Sequence, residues 1–340
     1  MTTAKNLQIR LASRPKGWVG LENFAAVETD MPTPGDGELL IRNIYLSLDP
    51  YMRPRMNDQK SYVAPFAVGE VLSGGTVGEV VASRQADFAV GDIVIGMLGW
   101  ERFSLSDGAG LMKAPFTDVA LSHYLGVLGM PGLTAYVGLM KIGRPKAGET
   151  VFVSAASGAV GSVVGQIARI EGCFVAGSAG SDAKVACLLE TLGFDAGFNY
   201  KTQDIGAGLR RACPDGIDID FENVGGAMLE QVIAQMNDFG RIVFCGAISA
   251  YNQDRPEPGP RNLFQMIAKR VRMEGFVVLD HYGEFPTYVA KARGWLADGR
   301  LKALETIVDG LENAPSALIG LFKGENLGKM IVRVGPDPSG

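Results

Sequence analysis

The sequence predicts an α/β protein in which a doubly wound parallel sheet, with helices on both faces, is joined to a β-rich domain. Three observations predict it. The stretch Val151–Gln166, VFVSAASGAVGSVVGQ, runs a short β-branched segment into a turn of small residues and then into apolar positions at helical spacing. Strand and helix signals alternate from about Leu128 onward, the pattern of successive βαβ units. Residues 1 to about 125 instead give short strand candidates separated by Gly, Pro and Asp, which suit a compact all-β barrel.

Taken in order, Glu38–Leu46 is a predicted strand, Val68–Val81 a predicted pair of short strands bent at glycines, and Gly91–Gly96 a further strand. Gly129–Leu139 reads as a turn feeding a helix, and Pro145–Glu149 as the next turn. The predicted alternation is then strand Val151–Ser154, helix from about Ala159, strand Phe174–Gly177, helix from about Asp182 and strand Ala196–Asn199. It continues with a helix to about Ala212, strand Ile217–Phe221, helix from about Ala227, strand Arg241–Cys245, helix near Asn262–Lys269 and strand Met273–Val278. Lys329–Val334 returns to strand character and is expected to rejoin the first domain. The basic cluster Lys269, Arg270 and Arg272 reads most simply as a solvated helix end.

Bulk properties narrow the classes. A chain of 340 residues fits about two domains. Hydrophobic content of 47% and charged content of 20% describe an ordinary soluble protein with a substantial core. A net charge of −5 weighs against nucleic acid or an anionic membrane as partner. The N-terminal MTTAKNLQIRLASRPKG lacks the apolar core of a signal peptide. No uncharged apolar run is long enough for a membrane span. Cys173, Cys187, Cys213 and Cys245 stand singly, so they read as reduced thiols of a cytoplasmic protein. With only His123 and His281 beside them, no zinc site is expected.

Within the central turn, Ala156, Gly158 and Gly161 occupy the three slots of a G-x-G-x-x-G fingerprint, with Ala in the first. Gly158 lets the backbone approach a pyrophosphate and Gly161 lets the helix pack close to the sheet. The helix N-terminus supplies N–H groups to the phosphates. The strand before and the helix after give the fingerprint its context, and the stretch reads as a Rossmann dinucleotide site rather than an ordinary glycine-rich turn. An NAD site usually places an acid at the end of the second strand. Here that strand ends Ala176-Gly177-Ser178-Ala179-Gly180-Ser181, with no acid before Asp182. Lys184 follows, and Asn199-Tyr200-Lys201 at the next strand end offers a further cation and a phenol, suitable partners for a 2′-phosphate. On spacing alone Lys184 is equally well a solvated first-turn lysine. NADPH is the expected cofactor.

These residues, with Arg14-Pro15-Lys16-Gly17, Leu48-Asp49-Pro50-Tyr51-Met52-Arg53, Gly129-Met130-Pro131-Gly132-Leu133-Thr134-Ala135-Tyr136, Phe221-Glu222-Asn223-Val224-Gly225-Gly226, Cys245–Asn252, Met273–Val278 and Glu325-Asn326-Leu327-Gly328-Lys329, carry a resemblance. Over essentially its whole length the chain resembles the zinc-independent medium-chain dehydrogenase/reductases. It is most similar to the leukotriene B4 12-hydroxydehydrogenase / prostaglandin reductase group, with the plant double-bond and bacterial curcumin reductases. The resemblance implies a GroES-like β-rich catalytic domain (1–127 and 302–340) around a Rossmann NADP-binding domain (128–301), as a homodimer. It implies NADPH-dependent reduction of the C=C bond of a small α,β-unsaturated ketone or aldehyde.

It also implies that Ala155, Ala156, Ser157 and Gly158 hold the pyrophosphate, with Ala159, Val160 and Gly161 completing the turn. Gly180, Lys184 and Tyr200 match the 2′-phosphate site. Asn223, Cys245, Tyr251, Phe276, Val277, Val278 and Asn326 match positions around the ribose and nicotinamide. Met130, beside Pro131, is a candidate lining residue of the nicotinamide pocket, and Thr134 a further candidate contact. Tyr51 matches a residue of the substrate cleft. Zinc-bearing relatives carry a Cys early in the catalytic domain and a His in a Gly-His-Glu turn. The stretches here read Leu48-Asp49-Pro50 and Val68-Gly69-Glu70, so no metal ligand set is expected.

Without a metal, hydrogen-bond donors must stabilise the enolate oxygen. Tyr251 is the expected principal donor, since a neutral phenol donates and its proton can be relayed to the α-carbon. Packing or ribose contact alone is the other reading of Tyr251. Tyr51 reads as a second donor or as a plug between domains, and Tyr62 as a weaker candidate. A quinone reductase is the alternative within enzymes, and a non-catalytic NADPH-binding protein the alternative outside them.

Overall fold

In the computed structural model, which describes residues 5–116, 118–255 and 258–338, the chain divides into two units, Met1–Leu125 with Glu305–Gly340, and Gly126–Leu304. The expected domain ranges take in residues 1–4, 117, 256, 257, 339 and 340, which lie outside the described residues.

The first unit opens with β1 (Lys5–Leu11) paired antiparallel to β2 (Phe24–Asp30). The sequence reading did not predict this hairpin, because Glu28 and Asp30 lie on the exposed side of β2 and dilute its strand signal. Then follow β3 (Leu39–Ser47), the short helix α1 (Met52–Arg55), β4 (Ser73–Ser83), β5 (Ile93–Gly99), β6 (Phe103–Ser106) and β7 (Met112–Lys113). One expectation is corrected at β4. It is a single strand of 11 residues, pairing with β5 over Ser73–Glu79 and with β3 over Thr76–Ser83, where two bent strands were expected. Its glycines serve close packing: a Cβ on Gly78 would lie 2.4 Å from Ile41 Cγ2, and one on Gly74 2.7 Å from Met52 Cε.

The second unit begins with α2 (Met130–Val137), whose last turns widen through Gly138–Gly143. Strands and helices then alternate: β8 (Thr150–Val153), α3 (Gly161–Ile170), β9 (Phe174–Ala179), α4 (Asp182–Ala186), β10 (Ala196–Asn199), α5 (Ile205–Ala212) and β11 (Ile217–Glu222). They continue with α6 (Gly226–Gln235), β12 (Met236–Phe244), α7 (Phe264–Lys269), β13 (Arg272–Gly275) and α8 (Phe285–Ala297). The six strands are parallel in the order β10-β9-β8-β11-β12-β13. Counted from β8 this is the 3-2-1-4-5-6 order of a dinucleotide-binding sheet, with its switch point between β8 and β11.

Helix α3 forms because Val163, Val164, Ile167 and Ala168 bury one face. Ser181 and Asp204 cap α4 and α5 by accepting from Lys184 N–H and Ala207 N–H. Phe152, Phe198, Leu209, Val232 and Ile242 fill the core on one face of the sheet. Strand β13 is shorter than expected, so Phe276, Val277 and Val278 lie beyond it. Lys269 Nζ donates to the Ala234 carbonyl at 2.7 Å, and Arg270 pairs with Asp238. The basic cluster read as a solvated helix end thus ties α7 to the end of α6 through Lys269 and to the start of β12 through Arg270.

Back in the first unit come β14 (Glu305–Asp309), α9 (Ala314–Lys323) and β15 (Lys329–Arg333). The tail strand joins a seven-stranded sheet in the order β14-β15-β3-β4-β5-β7, with β6 also on β3. Leu46, Met52, Trp100, Leu311, Leu318 and Val332 form its core.

Candidate active site

Strand β8 delivers the chain into the turn Ser154–Val160, at the carboxyl end of the sheet. Ala155 adopts a left-handed φ of 48°, a conformation that a non-glycine residue takes only where its surroundings impose it. Its carbonyl accepts the Gly158 N–H at 3.0 Å. A Cβ on Gly161 would lie 2.6 Å from that carbonyl and 2.9 Å from Ala156 Cα, so α3 starts here only from glycine. Ala156, in the first glycine slot, is fully buried. A Cβ on Gly177 would sit 2.6 Å from the Ala156 methyl, so a glycine in neighbouring β9 makes the room for it. Ser157 is buried, while Gly158, Ala159 and Val160 are half-buried. A tight turn of small residues ahead of a helix N-terminus is a cradle that larger side chains would fill, and it fits a pyrophosphate.

Gly180, Tyr200 and Lys201 come together where β9 and β10 end, with Asn199 opposite Ala179 in the ladder, and Lys184 in the first turn of α4 interacts with Lys201. A Cβ on Gly180 would lie 3.2 Å from the Tyr200 hydroxyl and 3.3 Å from Lys201 Cε. Burial pushes the Lys184 amine below the usual lysine value, and Lys201 beside it acts in the same direction. Burial pushes the Tyr200 phenol up. Asp182 accepts from Asn199 Nδ2 at 2.8 Å. Two ammonium groups and a phenol around a bare glycine suit a phosphate dianion, which would relieve the repulsion between the lysines.

At the switch point, Asn223 Nδ2 donates to the Ser154 carbonyl at 2.8 Å and its N–H to Ser154 Oγ at 2.7 Å. Cys245 N–H donates to the Glu222 carbonyl at 2.9 Å. Burial, and then Glu222, push the Cys245 thiol up to about 12. Tyr251 follows the short turn Ile248–Ala250, and its hydroxyl accepts the Ala247 N–H at 3.4 Å. A Cβ on Gly246 would lie 3.3 Å from that hydroxyl and 3.4 Å from the Asn223 carbonyl, so Asn223, Cys245 and Tyr251 share one corner. Phe276 packs on Gly138, where a Cβ would meet its ring at 2.8 Å. Val277 and Val278 are half-buried. Met130 opens α2, and the Thr134 hydroxyl donates to the Met130 carbonyl at 2.7 Å, so that hydroxyl is engaged within the helix. The sequence reading did not single out Ser154 and Glu222, both fully buried.

In the other unit, Tyr51 leads into α1 and is half-buried. Burial, then the Asp49 carboxylate, push its phenol up, while Arg55 pulls the other way; it is a neutral donor at neutral pH. Asp49 pairs with the buried Lys329 at 3.1 Å, and Ser47 Oγ donates to it. Arg55 lies over the Phe66 ring, 3.9 Å from its centre. Tyr62 is exposed. Asn326 is buried, its Nδ2 donating to the Gly328 carbonyl at 2.7 Å. Among the described residues no group of three or more His, Cys, Asp or Glu side chains stands where it could hold a metal ion. No helix among them is long and apolar enough to cross a membrane.

Residues 7–114 match the family model for the N-terminal domain of oxidoreductase, and residues 159–293 the model named zinc-binding dehydrogenase. The chain is 45% identical over 338 residues to the NADPH-dependent curcumin reductase of Escherichia coli (strain K12), covering 98% of both chains. It is 50% identical over 303 residues to the 2-alkenal reductase (NADP(+)-dependent) of Nicotiana tabacum, covering 88% of both. Its structure is similar to the crystal structure of CurA in complex with NADPH from Vibrio vulnificus. The TM-score is 0.93 at 46% identity, over 97% of this chain and 100% of that one.

Proposed function

The chain belongs to the zinc-independent medium-chain dehydrogenase/reductase family, and from that membership we propose that it reduces the C=C bond of α,β-unsaturated ketones and aldehydes with NADPH. The curcumin and 2-alkenal reductases among its relatives support the substrate class. The observation that carries the cofactor choice is the half-buried Lys184 beside Lys201 and Tyr200, at the strand end where an NAD site places an acid. Ala155–Gly161 are assigned to the pyrophosphate, and Gly180, Lys184, Tyr200 and Lys201 to the 2′-phosphate. Asn223, the Cys245 backbone and Phe276–Val278 are assigned to the ribose and nicotinamide. When bound, NADPH supplies a hydride to the β-carbon of the conjugated system, and negative charge develops on the carbonyl oxygen.

Tyr251 is assigned to donate a hydrogen bond to that oxygen, since a phenol holds its proton at neutral pH and gives it up along a hydrogen bond. Tyr51, whose proton is held more firmly by burial and by Asp49, is assigned to the substrate as a second donor. A homodimer is part of the reading. β13 is an edge strand exposed at all four residues, and Arg272 and Glu274 flank Met273 on it. Two-fold pairing of two copies would set each Arg272 against a Glu274. Four cysteines without disulfide partners support a cytoplasmic location.

The test is an NADPH-oxidation screen at 340 nm over alkenals, aryl enones and quinones, with product analysis. Saturated ketones or aldehydes are the expected products. Turnover of quinones alone would replace this reading with a quinone reductase. Tight NADPH binding without turnover across the panel would replace it with a non-catalytic binding protein.

A further inference from the structure

We propose that Glu222 is a positioning residue for the cofactor: its buried carboxyl joins the turns after β8 and β11 at the switch point, while its main-chain carbonyl holds the loop after β12. The proposal rests on reading that switch point as the NADPH site. Glu222 is the last residue of β11 and is fully buried. Its Oε1 accepts from Ser154 Oγ at 2.6 Å, from Val224 N–H at 2.6 Å and from Gly225 N–H at 3.0 Å. Ser154 Oγ in turn accepts the Asn223 N–H at 2.7 Å. The Glu222 carbonyl accepts the N–H of Cys245 at 2.9 Å and of Gly246 at 3.1 Å. The glycine turn after β8, the turn Asn223–Gly226 after β11 and the loop Cys245–Tyr251 after β12 therefore leave their strands from one hydrogen-bonded knot.

The knot requires an acceptor oxygen at the end of a side chain of this length. That oxygen receives a hydroxyl and two backbone N–H groups and, unlike a hydroxyl, has no proton of its own to place there. The turn it closes runs through left-handed residues, Gly225 at φ 75° and Gly226 at φ 54°, so no helical or strand partner is at hand for those N–H groups. Ser154 and Glu222 lie beneath the site, both at 0% exposure, and act on a ligand only through Asn223, Cys245 and the glycine turn. An apolar residue at 222 would leave two N–H groups buried and unpaired and the Ser154 hydroxyl with only the Phe221 carbonyl, at 3.4 Å, to donate to, loosening the turns after β8 and β11 from each other.

The test compares Glu222→Leu, Glu222→Gln and Ser154→Ala with the wild type. NADPH and NADH binding are read by nucleotide fluorescence titration, with a thermal melt of each protein. Glu222→Leu is expected to weaken NADPH binding about tenfold or more. Glu222→Gln keeps an acceptor oxygen and is expected to remain within about threefold of wild type. The ratio of NADPH to NADH affinity is expected to be unchanged in both, because Lys184 and its neighbours set it at the other end of the cofactor. Should Glu222→Leu fail to fold, Ser154→Ala decides, with an expected weakening of about three- to tenfold. Wild-type affinity in folded Glu222→Leu or in Ser154→Ala would overturn the proposal, as would equal losses in Glu222→Gln and Glu222→Leu. A wild-type protein that binds no NADPH would overturn the reading beneath it as well.

Discussion

Replacing Lys184 with alanine should convert a strong NADPH preference into a weak one while sparing NADH. The magnitude follows from where the amine sits. Lys184 is half-buried in the first turn of α4, its proton already loosened by burial and by Lys201. A 2′-phosphate placed against the Gly180 backbone, within reach of Tyr200 and Lys201 as well, reverses both penalties. A charge-assisted hydrogen bond in such a setting is worth about 1.5–3 kcal/mol, which corresponds to about 10- to 150-fold in affinity. NADH has no phosphate there, so its kcat/KM should change by less than about twofold, within the range of ordinary surface substitutions. The assay is initial-rate kinetics with one enone at saturation, varying each coenzyme, and the quantity read is the ratio of the two kcat/KM values. The double variant Lys184→Ala/Lys201→Ala should lose more than either alone, because both amines face one dianion. Stability supplies the control. Removing a desolvated cation that faces a second lysine relieves a cost, so the Lys184→Ala apoprotein should melt no lower than wild type. An unchanged ratio of coenzyme efficiencies, with the protein folded, would refute the assignment of this corner to the phosphate.

The remaining predictions concern the donor, the turn and the core. Tyr251→Phe should lower kcat at least tenfold with little change in NADPH affinity, consistent with about 1.4 kcal/mol or more of oxyanion stabilisation. Turnover within about twofold of wild type would remove Tyr251 from the donor role. Gly161→Ala drives a methyl to 2.6 Å from the Ala155 carbonyl. It should destabilise the protein by about 1–3 kcal/mol and weaken NADPH binding, both read by melts with and without coenzyme. Asp220 is fully buried, both carboxyl oxygens lack a hydrogen-bond partner, and burial with the nearby Glu222 raises its pKa well above the usual carboxylate value. Above about pH 4 the unfolded chain releases this proton while the folded chain keeps it, so wild-type stability falls as pH rises toward the folded-state value. Asp220→Val should therefore raise the melting temperature at pH 7–8, by about 2–8 °C for a gain of about 1–2 kcal/mol. That gain should shrink as pH approaches 4, and an equal or larger gain at pH 4 would contradict the argument.

The order of elements in the second unit was legible because each βα step carries its own local signal: a β-branched run, a small-residue turn, then apolar positions at helical spacing. What stayed hidden depends on which strands become neighbours. Ala156 stands in the first glycine slot of the fingerprint, and only the pairing of β8 with β9 shows that Gly177 supplies the space for its methyl. The same holds for Ser154 and Glu222. They stand far apart in the sequence and meet because the 3-2-1-4-5-6 order sets β11 directly beside β8. A glutamate closing a run of Ile217, Ile219 and Phe221 reads as the polar end of a strand, and nothing local marks it as the acceptor for a serine from another βα unit. The first unit shows the opposite failure, where a local signal was strong and pointed the wrong way. Glycine predicts bends in β4, yet Gly74 and Gly78 lie inside a continuous strand because Met52 and Ile41 press against the places their side chains would take. Local chemistry thus announced the turn that fits the coenzyme, while the buried acid beneath it became visible only when the sheet order was known. A search for such residues should begin with polar side chains at the ends of central strands, followed, as Glu222 is, by a turn whose N–H groups have no partner of their own.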